Sequence, residues 1–187
     1  MEVFLIAFLT AAIAEMGDRT QILMLVLSAK FRKPWPMLAG AFVAILANHL
    51  LAGVIGVWLG HYLSPFALNI AVGGSMLTMA AWTLIPEKVD RETKTTGRGA
   101  FVTTLFAVFV TEFGDKTQIA TVALAAGYAN LFAIVIGTSA GMLIADLPVV
   151  FLGNAFAARL PLRAIRCIAF GLFAALGVYF IAKSMAH

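Results

Sequence analysis

Cysteine is almost missing from this chain. Cys167 stands alone among 187 residues, inside the last apolar stretch, which excludes an intrachain disulfide and argues against a thiolate metal site. Packing is its expected role. Charge is scarce too, at 12% of residues, and hydrophobic residues make up 62%. With a mean hydropathy of +0.98, this is the composition of an integral membrane protein rather than a soluble domain. Two of the five polar breaks, His61 to Pro65 and Gly127 to Asn130, hold no Lys or Arg at all. The pI near 9.5 therefore reads as membrane orientation and not as nucleic-acid binding. The start lacks the basic region of a signal peptide, so residues 1–14 are expected to be retained despite the small residues at Ala12-Ile13-Ala14.

About 20 apolar residues cross the hydrocarbon core of a bilayer. That window predicts spans near 3–28, 36–60, 65–85, 100–126, 130–153 and 163–184. The phrase Glu15-Met16-Gly17-Asp18-Arg19-Thr20-Gln21 returns as Glu112-Phe113-Gly114-Asp115-Lys116-Thr117-Gln118, at an offset of 97 (112 − 15). The same offset superposes Leu27 on Leu124, Gly40 on Gly137, Leu46 on Leu143 and Gly74 on Gly171. A duplicated unit accounts for that register. The expected organisation is a three-helix repeat over 1–85, a short cytoplasmic linker over 86–99 and a second three-helix repeat over 100–187.

Cations mark the sides. Lys30, Arg32 and Lys33 lie in the first break, Lys88, Arg91, Lys94 and Arg98 in the third, and Arg159, Arg163 and Arg166 in or beside the fifth. By the positive-inside rule these face the cytoplasm and both termini lie outside, with Lys183 dissenting. Three spans per half is an odd number, so the second repeat enters the membrane from the opposite side. The expected fold is all-α, with six transmembrane helices as two inverted-topology repeats and sites near the midplane.

Charge at that depth is costly. Roughly 2.5–3.5 kcal/mol attaches to each charged side chain at a helix centre, so the six ionisable groups of the two motifs need a reason to be there. In a continuous helix Glu15 and Asp18 share a face, as do Glu112 and Asp115. Glu15 precedes Arg19 by four residues, and Glu112 precedes Lys116 by four, the favourable order for an intrahelical pair. Such pairing leaves Asp18 and Asp115 without a local cation. A scaffold that merely neutralises itself is thus one reading, and a cation site is the other. Four carboxylates and two bases sum to −2, which one divalent cation or two protons neutralise; Asp146 takes the sum to −3 if ionised.

The donors are hard: carboxylates of Glu15, Asp18, Glu112 and Asp115, amide oxygens of Gln21 and Gln118, and hydroxyls of Thr20 and Thr117. They suit Mn²⁺, Ca²⁺ or Mg²⁺. Arg19 and Lys116 stand beside them, and a buried lysine can release its proton where arginine does not, so Lys116 is the better proton-coupling base. Gly17 and Gly114 permit either close helix packing, the commoner use, or a local break. Asp146 is expected as a proton relay or supporting ligand, opposite His49 and beside Asn48 in the repeat, where an interhelical hydrogen bond also explains Asn48 and His49.

Two copies of Glu-x-Gly-Asp-(Lys/Arg)-Thr-Gln in matched register resemble the cation/proton antiporters that include bacterial MneA-type manganese exporters and Golgi Gdt-type transporters. The resemblance covers essentially the whole chain. It implies Mn²⁺ export across the bacterial cytoplasmic membrane in exchange for protons, no enzymatic activity and no resident cofactor. The lipid bilayer is then the partner, with cation and protons as substrates. Glu15, Asp18, Glu112 and Asp115 are the acids it implies, surrounded by Arg19, Lys116, Thr20, Thr117, Gln21 and Gln118. A Ca²⁺/H⁺ antiporter with the same site and a passive divalent-cation channel remain as alternatives.

Overall fold

A computed structural model describes residues 1–84, 99–128, 130–152 and 162–185. Residues 86–98 of the linker expected over 86–99, and the cation Arg159, lie outside the described residues. Among the described residues there are eight helices and no strand: α1 (Glu2–Glu15), α2 (Arg19–Phe31), α3 (Pro34–Tyr62), α4 (Pro65–Thr83), α5 (Gly99–Glu112), α6 (Lys116–Tyr128), α7 (Leu131–Leu152) and α8 (Leu162–Met185).

Local chemistry explains the starts and stops. Pro34 and Pro65 occupy first helical turns, where a missing N–H costs nothing. Ser64 caps α4 by accepting from Ala67 N at 3.3 Å, and Asn130 Oδ1 accepts from Ala133 N at 3.1 Å at the start of α7. Arg32 closes α2 in the left-handed conformation, φ 51°, one residue before the chain turns into α3.

Four helices are long and apolar enough to cross a bilayer: α3, α4, α7 and the Cys167–Met185 part of α8. The predicted spans 3–28 and 100–126 are not single helices. Each is split at its motif into pieces of 14 and 13 residues, and a 14-residue helix is only about 21 Å long. The reason is the glycine. Gly17 and Gly114 both sit at φ 79°, where a helix cannot continue. Nothing lies within 4 Å of a Cβ built on Gly114, so the break, not the expected close packing, is its use there.

Close packing instead falls to other glycines. α1 packs on α7 and α5 on α3, and each contact is made at a glycine. A Cβ on Gly137 meets Phe4 O at 2.7 Å and Phe8 N at 3.3 Å; one on Gly40 meets the carbonyl of Phe101 and, at 3.1 Å, Leu105 N. Three pairs of positions, Gly40 with Gly137, Phe4 with Phe101 and Phe8 with Leu105, follow the offset of 97. α4 packs on α8 through Gly73 and Gly177, while α3 and α7 run through the middle and touch each other. Apolar residues of α3 such as Leu50, Leu51, Val54, Ile55 and Trp58 face outward, as a lipid-facing surface requires. Cys167 is exposed, not packed inside as expected: it shares the outward face of α8 with Ile168 and Phe170.

Gly40→Val and Gly137→Val therefore drive helix backbones apart, each costing about 1–3 kcal/mol. Gly171→Ala, with open space around its Cβ, leaves stability unchanged or raised. Thermal unfolding of the detergent-solubilised protein reads both outcomes.

Candidate metal site

The two breaks are built alike. In each, the glycine N–H loses its helical acceptor, and the glutamine four residues on supplies one: Gly17 N donates to Gln21 Oε1 at 2.8 Å and Gly114 N to Gln118 Oε1 at 2.5 Å. Each amide then reaches a neighbouring long helix. Gln21 Nε2 donates to Ala145 O at 2.8 Å on α7, and Gln118 Nε2 donates to Asn48 O at 3.1 Å on α3. Ala145 and Asn48 are themselves offset by 97. Both glutamines were expected as ligands; their oxygens are engaged in stapling the breaks.

The break also redistributes charge. Glu15 and Glu112 become the last residues of α1 and α5, while Asp18 and Asp115 immediately precede α2 and α6. Asp18 and Asp115 thus meet the positive ends of helix dipoles, which favours their carboxylates. Glu15 and Glu112 sit at negative ends, which favours a cation beside them.

Among the described residues, ion pairs of the motifs join one half to the other. Lys116 Nζ donates to Asp18 Oδ1, and Arg19 Nη2 lies 3.4 Å from Asp115 Oδ1. The expected intrahelical pairs, Glu15 with Arg19 and Glu112 with Lys116, are replaced because the break lies between their members. The aspartates, expected to lack cations, are the ones that have them. The two pairs differ in environment: the Lys116 side chain is 8% exposed and that of Arg19 is 43% exposed.

Glu15, Asp18 and Glu112 come together. All three are buried, and one carboxylate oxygen of each lies within 4.8 Å of the others. At that spacing two full charges repel by about 3 kcal/mol with an effective dielectric near 20. Lys116 offsets part of the sum, and a divalent cation offsets the rest. Glu112 accepts from the Thr20 hydroxyl and, at 3.4 Å, from that of Thr117, whereas neither oxygen of Glu15 has a hydrogen-bond partner.

The remaining candidates are placed as follows. Asp115 is outside the three-acid group, held by Arg19 and at 3.4 Å by Thr117 Oγ1. Asn48 donates to Phe109 O at 3.0 Å and leaves its own side-chain oxygen unpartnered. Asp146 is fully buried with both oxygens unpartnered, within Coulombic range of Asp18, Glu15 and Glu112.

A family profile described as divalent cation/proton antiporter GDT1 matches residues 3–91 and 100–187. The chain belongs to this family. It is a multi-pass membrane protein of ion transport and not an enzyme. A protein of Vibrio cholerae serotype O1 that bears the provisional name of a manganese exporter is 48% identical over 174 residues, 92% of this chain and 87% of that protein. A GDT1-like protein of Synechocystis is 27% identical over 190 residues, covering 91% of this chain and 92% of the relative. No solved structure matches the chain.

The unequal burial of the two ion pairs predicts unequal costs. Lys116→Met removes the buried ammonium from Asp18 and destabilises by about 3–5 kcal/mol. Arg19→Met costs less, because its guanidinium already reaches solvent, although the Asp115 carboxylate it leaves is as buried as that of Asp18. Chemical or thermal unfolding in detergent ranks them.

Proposed function

We propose that this antiporter exports Mn²⁺ from the cytoplasm in exchange for protons, through a site at mid-membrane composed of Glu15, Asp18 and Glu112. The observation that carries this reading is the meeting of three buried carboxylates drawn from both halves of the chain. Three hard oxygen donors, with Thr20 and Thr117 beside them, suit Mn²⁺ chemistry. Mn²⁺ and protons neutralise the same oxygens, so the arrival of one favours the departure of the other. The name of the Vibrio cholerae relative favours manganese over calcium.

The proposed architecture is six spans in two inverted repeats, residues 1–85 and 100–187. α1 with α2, and α5 with α6, each make one discontinuous span, the form in which transporters expose helix ends to an ion. The recurrence of glycine contacts and glutamine staples at the offset of 97 supports it. With Lys30, Arg32 and Lys33 on the cytoplasmic side of a bacterial inner membrane, both termini lie outside. Asp115, Arg19 and Lys116 act in this scheme as counter-charges that re-pair as the site alternates its exposure. The pair at Arg19 is the more open one in this conformation.

Proteoliposomes with an imposed pH gradient accumulate ⁵⁴Mn²⁺, and collapse of the gradient abolishes accumulation. Uptake that follows the metal gradient alone identifies a channel, and a stronger response to Ca²⁺ in competition identifies the calcium antiporter. Glu15→Gln with Glu112→Gln lowers apparent Mn²⁺ affinity by at least about 100-fold, more than loss of an outer-shell partner does. Full transport by that double variant removes the site from this reading.

A further inference from the structure

A second set of metal-binding atoms lies apart from the motif acids. His49 on α3 is buried, with Nε2 2.8 Å from Met142 Sδ on α7 and Nδ1 2.8 Å from Thr121 Oγ1 on α6. The Thr121 hydroxyl has one hydrogen and donates it to the Thr117 carbonyl at 2.8 Å, a common habit of helical threonine. Its oxygen then accepts from Nδ1–H, which leaves Nε2 as the unprotonated nitrogen. A thioether has no hydrogen to offer in return. Two lone-pair donors thus face each other, an arrangement that a shared cation relieves.

Asp146 follows Met142 by one helical turn on α7, so both side chains leave the same helix face. It is completely buried and neither of its oxygens has a hydrogen-bond partner. His49 and Asp146 are also counterparts at the offset of 97, and Met142 is matched by Ile45. His49 and Met142 face each other across the two halves, and Asp146 stands one helical turn further along α7.

We propose that His49 Nε2, Met142 Sδ and the Asp146 carboxylate form a second cation station that prefers divalent transition-metal ions to Ca²⁺ and Mg²⁺. It deepens the transport reading above and rests on it: the triad of carboxylates supplies charge, and this station supplies discrimination. Ca²⁺ and Mg²⁺ are bound by oxygen, whereas imidazole and thioether favour transition metals. Thr121 acts as the positioning residue, holding the imidazole in the tautomer that leaves Nε2 free, as outer hydrogen bonds do for metal-bound histidines.

The test uses full-length protein labelled with selenomethionine and loaded with excess Mn²⁺. Mn K-edge X-ray absorption of the otherwise unchanged protein shows a selenium neighbour, and Met142→Leu removes it. In proteoliposomes the preference for Mn²⁺ over Ca²⁺ falls about tenfold in Met142→Leu and in Thr121→Val, while Ca²⁺ transport is unchanged. A shell of oxygen and nitrogen alone overturns the proposal, as does selenium that persists in Met142→Leu. Unchanged ion preference overturns it as well. Preference lost without any selenium signal does the same, because Met142 would then act through packing. If Met142→Leu fails to fold, the absorption spectrum of unsubstituted protein still decides. The carboxylate reading fails by a different result: Mn²⁺ and Ca²⁺ transport both surviving Glu15→Gln with Glu112→Gln.

Discussion

Each motif interrupts its own helix, and the interruption governs where the buried charges of the motifs go. A continuous helix would bring Glu15 to Arg19 and Glu112 to Lys116 along one face. With Gly17 and Gly114 at φ 79°, those partners are on separate helices, and each base turns to the aspartate of the other half. The glutamines make the interruption affordable by accepting from the stranded glycine N–H groups and tying each break to a long helix. A site assembled this way belongs to neither half alone.

That dependence suits alternating exposure. The two crosswise ion pairs occupy matching positions of the repeat but differ in burial, with Lys116 enclosed and Arg19 half open. The acids differ in the same way: Glu112 accepts from Thr20 and shares the Thr117 hydroxyl with Asp115, while neither oxygen of Glu15 has a hydrogen-bond partner. α6 packs closely on α3 and α4, whereas its counterpart α2 packs more lightly on α7, the counterpart of α3. In the proposed transport scheme, matched parts in unequal surroundings represent one of two exposure states, and exchanging the surroundings of the two halves generates the other.

Much of this was legible in residue order. The spans predicted to begin at 36, 65 and 130 start within two residues of α3, α4 and α7, because the proline and capping residues that end each polar break act on their immediate neighbours. The offset of 97 pointed to contacts that recur at Gly40 and Gly137. The role of Gly17 and Gly114 was not legible, because the property that permits close packing, a missing Cβ, also permits positive φ. Gln21 and Gln118 were expected as ligands since an amide oxygen beside acids has that chemistry; their hydrogen bonds to the stranded glycine N–H groups were not legible, because the breaks were not. Cys167 was expected inside, yet an apolar residue in a membrane protein satisfies lipid as well as core.

Residue order by itself determined which charges the interior must hold and that they come in two matched sets, since composition and spacing are local properties of the chain. The tertiary structure alone decided that Lys116 meets Asp18, that three of the four motif acids converge while Asp115 stays with Arg19, and that His49 faces Met142. Those partners are 93 to 98 positions apart. No helical period reaches that far, and they meet because glycine-lined contacts bring the helices of the two halves together.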